Sequence, residues 1–206
     1  HPADRQIAAS ESKAALDQLV ALGYIEKPDD DSSKALERTV RELDYNLAQS
    51  YANGGVYREA SELFERLYEK WPEEHRFGYN LATCYQKMGR AKELRSLVNT
   101  LIERRIDEAN EAVEALKELK LDTEEGQKAD AERFKKMRPK RRQREHRERN
   151  KLMGSARPNL FSLFFLEAYA DVTEKKYEDA LAKLEKLDTD YGARINALVM
   201  KGEIQQ

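Results

Sequence analysis

Three histidines and one cysteine, His1, His75, His146 and Cys84, are the side chains best suited to metal ligation or nucleophilic chemistry. They are far apart in sequence, and none shares a ligand spacing with another, so they predict no metal site. Cys84 falls between Ala82 and Tyr85 in an apolar helical pattern, which is the setting of a small packed residue rather than of an activated thiolate. No Gly-rich phosphate loop, nucleophile elbow or HExxH pair occurs. The expectation is a chain with no catalytic group and no cofactor.

A second chemistry is available to the segment 133–151, where eleven basic residues stand against two glutamates. Lys140, Arg141, Arg142, Arg144 and Arg147 could grip phosphates or anionic lipid. Phe134 is the single aromatic there, so base stacking is poorly supported. The preceding segment 107–132 is opposite in sign, with ten acidic residues and three lysines. A solvated insert, or an antiparallel helical hairpin that pairs the two runs, is the competing reading.

The elements that must position these groups are helical. Charged residues make up 37% of the 206 residues, mean hydropathy is −0.88, net charge is −2, and glycine and proline are few. That balance excludes a strong overall pull on nucleic acid or membrane. The longest apolar run, 160–166, is too short to span a bilayer. One cysteine excludes an internal disulfide and leaves the compartment open.

An internal repeat organises the helices. Residues 45–51 read YNLAQSY and residues 79–85 read YNLATCY, five of seven identical at an offset of 34. The same offset pairs Gly55 with Gly89, Glu59 with Glu93, Leu63 with Leu97 and Leu67 with Leu101. Helices are predicted over 34–52, 57–70, 75–87, 90–104 and 107–121, then from 159, over 176–188, and from 197. A shorter helix is predicted from Ser10 or Ser12 to Leu22, closed by Gly23. A loop is expected over 154–158 and a turn over 190–192.

In period and pattern the chain resembles the tetratricopeptide repeat family, whose unit is helix, turn, helix. Leu47, Ala48, Tyr51, Ala60, Phe64, Leu67 and Pro72 stand at the family's signature positions in a unit at 41–74. The second unit, 75–108, keeps Leu81, Ala82, Tyr85 and Leu101 but has Leu94 and Val98 at variant positions and no closing proline. A third, at about 161–194, keeps Phe164, Ala168, Ala180, Leu184 and Leu187, with Asp171 where an aromatic is usual. The resemblance covers about 60% of the chain. It implies an all-α, superhelical solenoid interrupted by a long charged insert, helical or disordered. The parts are then an N-terminal helix and acidic linker (1–33), two units (34–108), the insert (109–157), and a third unit with a partial or capping helix (158–206).

The resemblance also implies a concave groove that receives a protein or peptide. By position it is lined by Tyr45, Asn46, Gln49 and Asn53, then Arg76, Tyr79, Asn80, Thr83, Gln86 and Lys87, then Phe165 and Tyr169. Amide side chains offer donors and an acceptor to a peptide backbone, and tyrosine adds contact area at low entropic cost. Tyr45, Asn46, Tyr79 and Asn80 could equally serve packing between units. The carboxylate-clamp subgroup has Lys where this chain has Tyr45 and Asn where it has Gln49, which argues against a chaperone C-terminal tail as ligand.

Residues 15–25 are similar to the C-terminal end of sulfatase or type I phosphodiesterase domains of the alkaline-phosphatase superfamily, some bacterial members of which carry such repeats after the catalytic domain. By that resemblance the chain is a non-catalytic tail of a hydrolase. A first residue other than Met fits a processed product or a fragment, and the last helix, from about Ala193, could pair with a second copy.

Overall fold

The computed structural model describes residues 30–205, with side chains from residue 33. The predicted helix ending at Leu22 and the hydrolase-like segment at 15–25 lie outside them. Nine α-helices and no strands make up the described residues: α1 Asp30–Asn53, α2 Tyr57–Lys70, α3 His75–Lys87, α4 Ala91–Glu118, α5 Glu124–Lys135, α6 Pro139–Ser155, α7 Phe161–Thr173, α8 Tyr177–Tyr191 and α9 Ile195–Ile204. The all-α expectation holds. No helix is long and apolar enough to cross a membrane among the described residues.

The chain divides into two units, 1–46 and 47–206. In the first, α1 carries an exposed surface over residues 33–39, and Arg41 pairs with Glu42 at 3.0 Å. The second unit begins in the last two turns of α1 and contains everything that follows.

One backbone device recurs through the second unit. Helix α1 ends when the Gly55 amide donates to the Ala52 carbonyl (3.1 Å) and Val56 to Tyr51 (2.9 Å). At the end of α3, Gly89 donates to Gln86 (3.1 Å) and Arg90 to Tyr85 (3.0 Å). At the end of α7, Lys175 donates to Val172 (3.0 Å) and Lys176 to Asp171 (2.8 Å). Each pair satisfies carbonyls that a helix end leaves orphaned, and each needs a left-handed residue at the turn. Those residues are Gly55 (φ 77°), Gly89 (φ 69°) and Lys175 (φ 62°). The next residue has nearly the same backbone in all three cases: Val56 (−88°, 64°), Arg90 (−81°, 69°) and Lys176 (−90°, 63°). Three turns of one geometry therefore sit at an offset of 34 and then of 86 residues.

The packing recurs in step with the turns. Each of α3, α7 and α9 packs on the helix that closes the preceding hairpin, namely α2, α4 and α8, and α7 also touches α3. Ala48, Ala82 and Ala168 are fully buried at matching positions, as are Ala60, Leu94 and Ala180 on the returning helices. The methyl side chains at five of these six positions let two helices approach closely, and Leu94 is the one larger group among them. Phe64, Val98 and Leu184, with Leu67, Leu101 and Leu187, fill the layer between.

The excursion between α4 and α7 is ordered helix. Helix α4 is continuous over 28 residues, where the sequence predicts two helices with a break near 105. No glycine or proline lies between Arg90 and Gly126, and Ile106 stands where the first unit has Pro72, so nothing ends the helix. It closes with the same turn, Lys120 taking the left-handed seat (φ 55°) and Leu121 donating to Leu116 (2.8 Å). Helix α5 starts at the N-cap Thr123, whose Oγ1 accepts from the Gly126 amide (3.2 Å). Pro139 occupies the first turn of α6, where its missing N–H costs nothing, and α6 runs back along α4 to Ser155, two residues into the predicted loop.

Candidate functional site

The predicted groove residues fall on three helices. Tyr45 (half-buried) and Asn46 (exposed) belong to the first unit; the other ten belong to the second. Gln49 and Asn53 lie at the end of α1, six residues lie on α3, and Phe165 and Tyr169 lie on α7. Because α7 packs on α3, the last two sets occupy neighbouring helices.

Asn80 serves the scaffold. Its Oδ1 accepts from Gln49 Nε2 (2.8 Å) and its Nδ2 donates to the Arg76 carbonyl (2.6 Å). One amide thus ties α1 to α3, and of the two readings the sequence leaves open for Asn80 this bond favours packing; Gln49, expected only in the groove, is its partner. Arg76 is held by Glu74 (3.1 Å) and lies 4.9 Å from the Phe77 ring centre. Tyr79 is half-buried, and desolvation raises its phenol above the ordinary value, against the opposing pull of Arg105. Thr83 and Thr173 donate back to the carbonyls four residues earlier, Tyr79 and Tyr169, at 2.9 and 3.0 Å. Thr83 and Lys87 are exposed, and Gln86, Phe165 and Tyr169 are half-buried. The solvent-reaching part of the α3–α7 face is therefore hydroxyl, amide, ammonium and aromatic.

Beneath that face lies an ionic cluster that the sequence reading missed. Asp171 has a side chain only 3% exposed. Its two oxygens accept from Arg95 of α4 (2.8 Å) and Lys183 of α8 (2.6 Å). Arg95 also meets Glu174 (3.0 Å), and Lys183 meets Glu167 (2.7 Å). Burial works against both cations, yet these carboxylates raise their proton affinity above the ordinary values. In the second hairpin the matching residue, Tyr85, instead donates its hydroxyl to Glu65 of α2 (2.6 Å). The position is aromatic twice and a clamped carboxylate once. An acid at an aromatic position was the available signal, but only the fold brings Arg95, 76 residues away, to meet it.

The predicted anion-binding residues separate into two groups. Arg142 caps α5 by donating to the carbonyls of Lys135 (2.9 Å) and Met137 (3.1 Å). Arg141 pairs with Glu145 (2.8 Å). Arg144 pairs with Glu148 (2.9 Å), whereas Lys140 and Arg147 have no ion pair among the described residues; all five are exposed. The hairpin of α5 and α6 is closed by Asp130–Arg149 (2.8 Å) and Arg133–Glu145 (3.1 Å) around the buried Phe134, with His146 edge-on to its ring at 6.2 Å. Together with the end of α4 the hairpin encloses an open cleft of about 1060 Å³.

Two further chemistry-bearing groups, Cys84 and His75, are buried and half-buried respectively. Cys84 is buried, and desolvation pushes its thiol up to about 11, which suppresses the thiolate. His75 Nε2 lies 2.9 Å from Glu108 and 3.0 Å from Arg105. Burial, reinforced by Arg105 and Arg104, outweighs Glu108 and holds its pKa below 6.5. No group of three or more His, Cys, Asp and Glu side chains is placed to hold a metal among the described residues. On α9, Ala197 and Met200 are buried while Ile195, Leu198 and Val199 are exposed.

No known protein family, curated protein or solved structure matches the chain.

Proposed function

We propose that this chain is a tetratricopeptide-like scaffold that holds a protein or peptide segment on the α3–α7 face. The observation that carries the reading is the threefold turn at Gly55, Gly89 and Lys175, with one backbone geometry and one packing rule between hairpins. Such hairpins expose successive first helices side by side, an arrangement suited to gripping an extended segment. Thr83, Gln86, Lys87 and Tyr169 supply the donors, acceptors and aromatic area for it. Gln49 and Asn80, bonded to each other, hold the face in place beside them.

Site-specific photo-crosslinking tests this. A crosslinker at Thr83 or Tyr169 should capture one partner, identified by mass spectrometry, that a crosslinker at Glu62 on the exposed side of α2 does not. The same partner from all three positions, or none from the α3–α7 face, would overturn the reading.

A further inference from the structure

The insert carries two charge stripes of one spacing. On α6, Lys140, Arg144, Arg147 and Lys151 follow one another by four, three and four residues, and all are exposed. On α4, Asp107, Glu111, Glu114 and Glu118 follow one another by the same steps, and all are exposed. At 100° per residue each set lies within an arc of about 60°, and each spans about 16 Å. The inward-facing residues differ: Ala112 of α4 is buried, and Glu145, Arg149 and Leu152 of α6 are half-buried. Both stripes therefore turn away from the contact that joins the two helices.

Neither stripe is satisfied across helices among the described residues. Glu114 meets Lys117 (2.8 Å) and Arg144 meets Glu148 (2.9 Å), each within its own helix. The other six have no ion-pair partner among the described residues. Pairs of that exposed, within-helix kind contribute little and exchange readily. The stripes open on common ground, since Glu118 and Arg144 line the same cleft.

We propose that the two stripes form a self-complementary docking surface, and that its partner is a second copy of this chain. The four-three-four order reads the same in both directions. An α4 laid antiparallel on the α6 of another copy sets Asp107 against Lys151, Glu111 against Arg147, Glu114 against Arg144 and Glu118 against Lys140. A two-fold axis along the helix direction brings the remaining α6 and α4 together in the same act, giving an isologous contact with eight ion pairs. A polyanion would match the basic stripe alone and would face the acidic stripe beside it, so a partner bearing both signs in the same order fits better. This surface is separate from the α3–α7 face, and its test does not depend on that face.

Sedimentation velocity on the full chain at low ionic strength should show a dimer that dissociates in about 1 M salt, where screening acts within about 3 Å. Reversing one stripe, by Lys140→Glu, Arg144→Glu, Arg147→Glu and Lys151→Glu, should weaken self-association at least tenfold. Reversing the other, by Asp107→Lys, Glu111→Lys, Glu114→Lys and Glu118→Lys, should do the same. An equimolar mixture of the two should restore a heterodimer. If circular dichroism shows either variant to be unfolded, the pairs Arg144→Glu/Arg147→Glu and Glu111→Lys/Glu114→Lys replace them. A monomeric wild type at low ionic strength, or a mixture that stays monomeric, overturns the proposal. A duplex oligonucleotide that binds the basic stripe and displaces the second copy also overturns it, in favour of a polyanion.

Discussion

Asp171→Ala is the sharpest perturbation of the scaffold. The carboxylate is almost fully buried and accepts charge-assisted bonds from Arg95 at 2.8 Å and Lys183 at 2.6 Å. Bonds to charged groups contribute about 1.5–3 kcal/mol each, and removing one partner of a buried pair costs about 3–5 kcal/mol when the other is stranded. Here neither cation is stranded. Arg95 keeps Glu174 and Lys183 keeps Glu167, and their side chains remain 24% and 32% exposed. The expected loss is therefore below that range, about 2–3 kcal/mol, and shows as a fall of about 1 M in the urea midpoint at a typical slope. Combining Asp171→Leu with Arg95→Met should recover much of the loss, because replacing a buried ionic set by apolar groups of similar volume is commonly neutral. A loss of about 0.5 kcal/mol or less for Asp171→Ala, the range of exposed pairs, would refute the claim that this carboxylate joins α4, α7 and α8.

The three turns predict opposite effects of reciprocal changes: Lys175→Gly should stabilise, and Gly89→Lys should destabilise, by about 1 kcal/mol each in urea unfolding. A Cβ at Gly89 meets nothing within 4 Å, so only the left-handed backbone acts. Gly126→Ala should destabilise the start of α5, visible as faster amide exchange over 120–135, because its Cβ would collide with the Lys120 carbonyl. His75 carries a lowered pKa in the folded chain, so the unfolded chain binds more protons below 6.5. Stability should then fall as pH drops below about 6.5, and His75→Gln should flatten that part of the pH profile of the thermal midpoint.

The all-α class and most helix ends were legible because they rest on local signals. Gly55 and Gly89 mark left-handed turns, and the predicted spans 57–70 and 75–87 coincide with α2 and α3. The third turn was harder to see because Lys175 takes the glycine's place, and only backbone geometry reveals the equivalence. The helix break near 105 was an inference from the period. The local chemistry of α4, free of glycine and proline, prevailed, and the missing closing proline was the sign of it. At the candidate face, residue types indicated who stands on α3, but not who is already engaged. The bond from Gln49 to Asn80 and the Arg95–Asp171–Lys183 set depend on distant helices meeting, which no spacing within one helix can encode.

The insert shows how a stack of hairpins accepts a long excursion without losing its order. A helix that closes one hairpin can simply continue, since each further residue adds a backbone hydrogen bond without a new nucleation cost. The excursion must then return to its start, because the next hairpin has to pack on the first part of that same helix. Here α6 runs back along α4 and delivers α7 onto α4 and α3. The return requires only a turn at Lys120, a cap at Thr123 and a reversal before Pro139. Apolar contacts are few along it, with Ala112, Leu121 and Phe134 the buried apolar groups, so charge was free to accumulate on the outer faces. A helical arm of this kind is held by the stack at its base and by α4 along α6. Selection can set its outer charges without disturbing the core, which is why the two stripes of matched spacing invite a role beyond solubility.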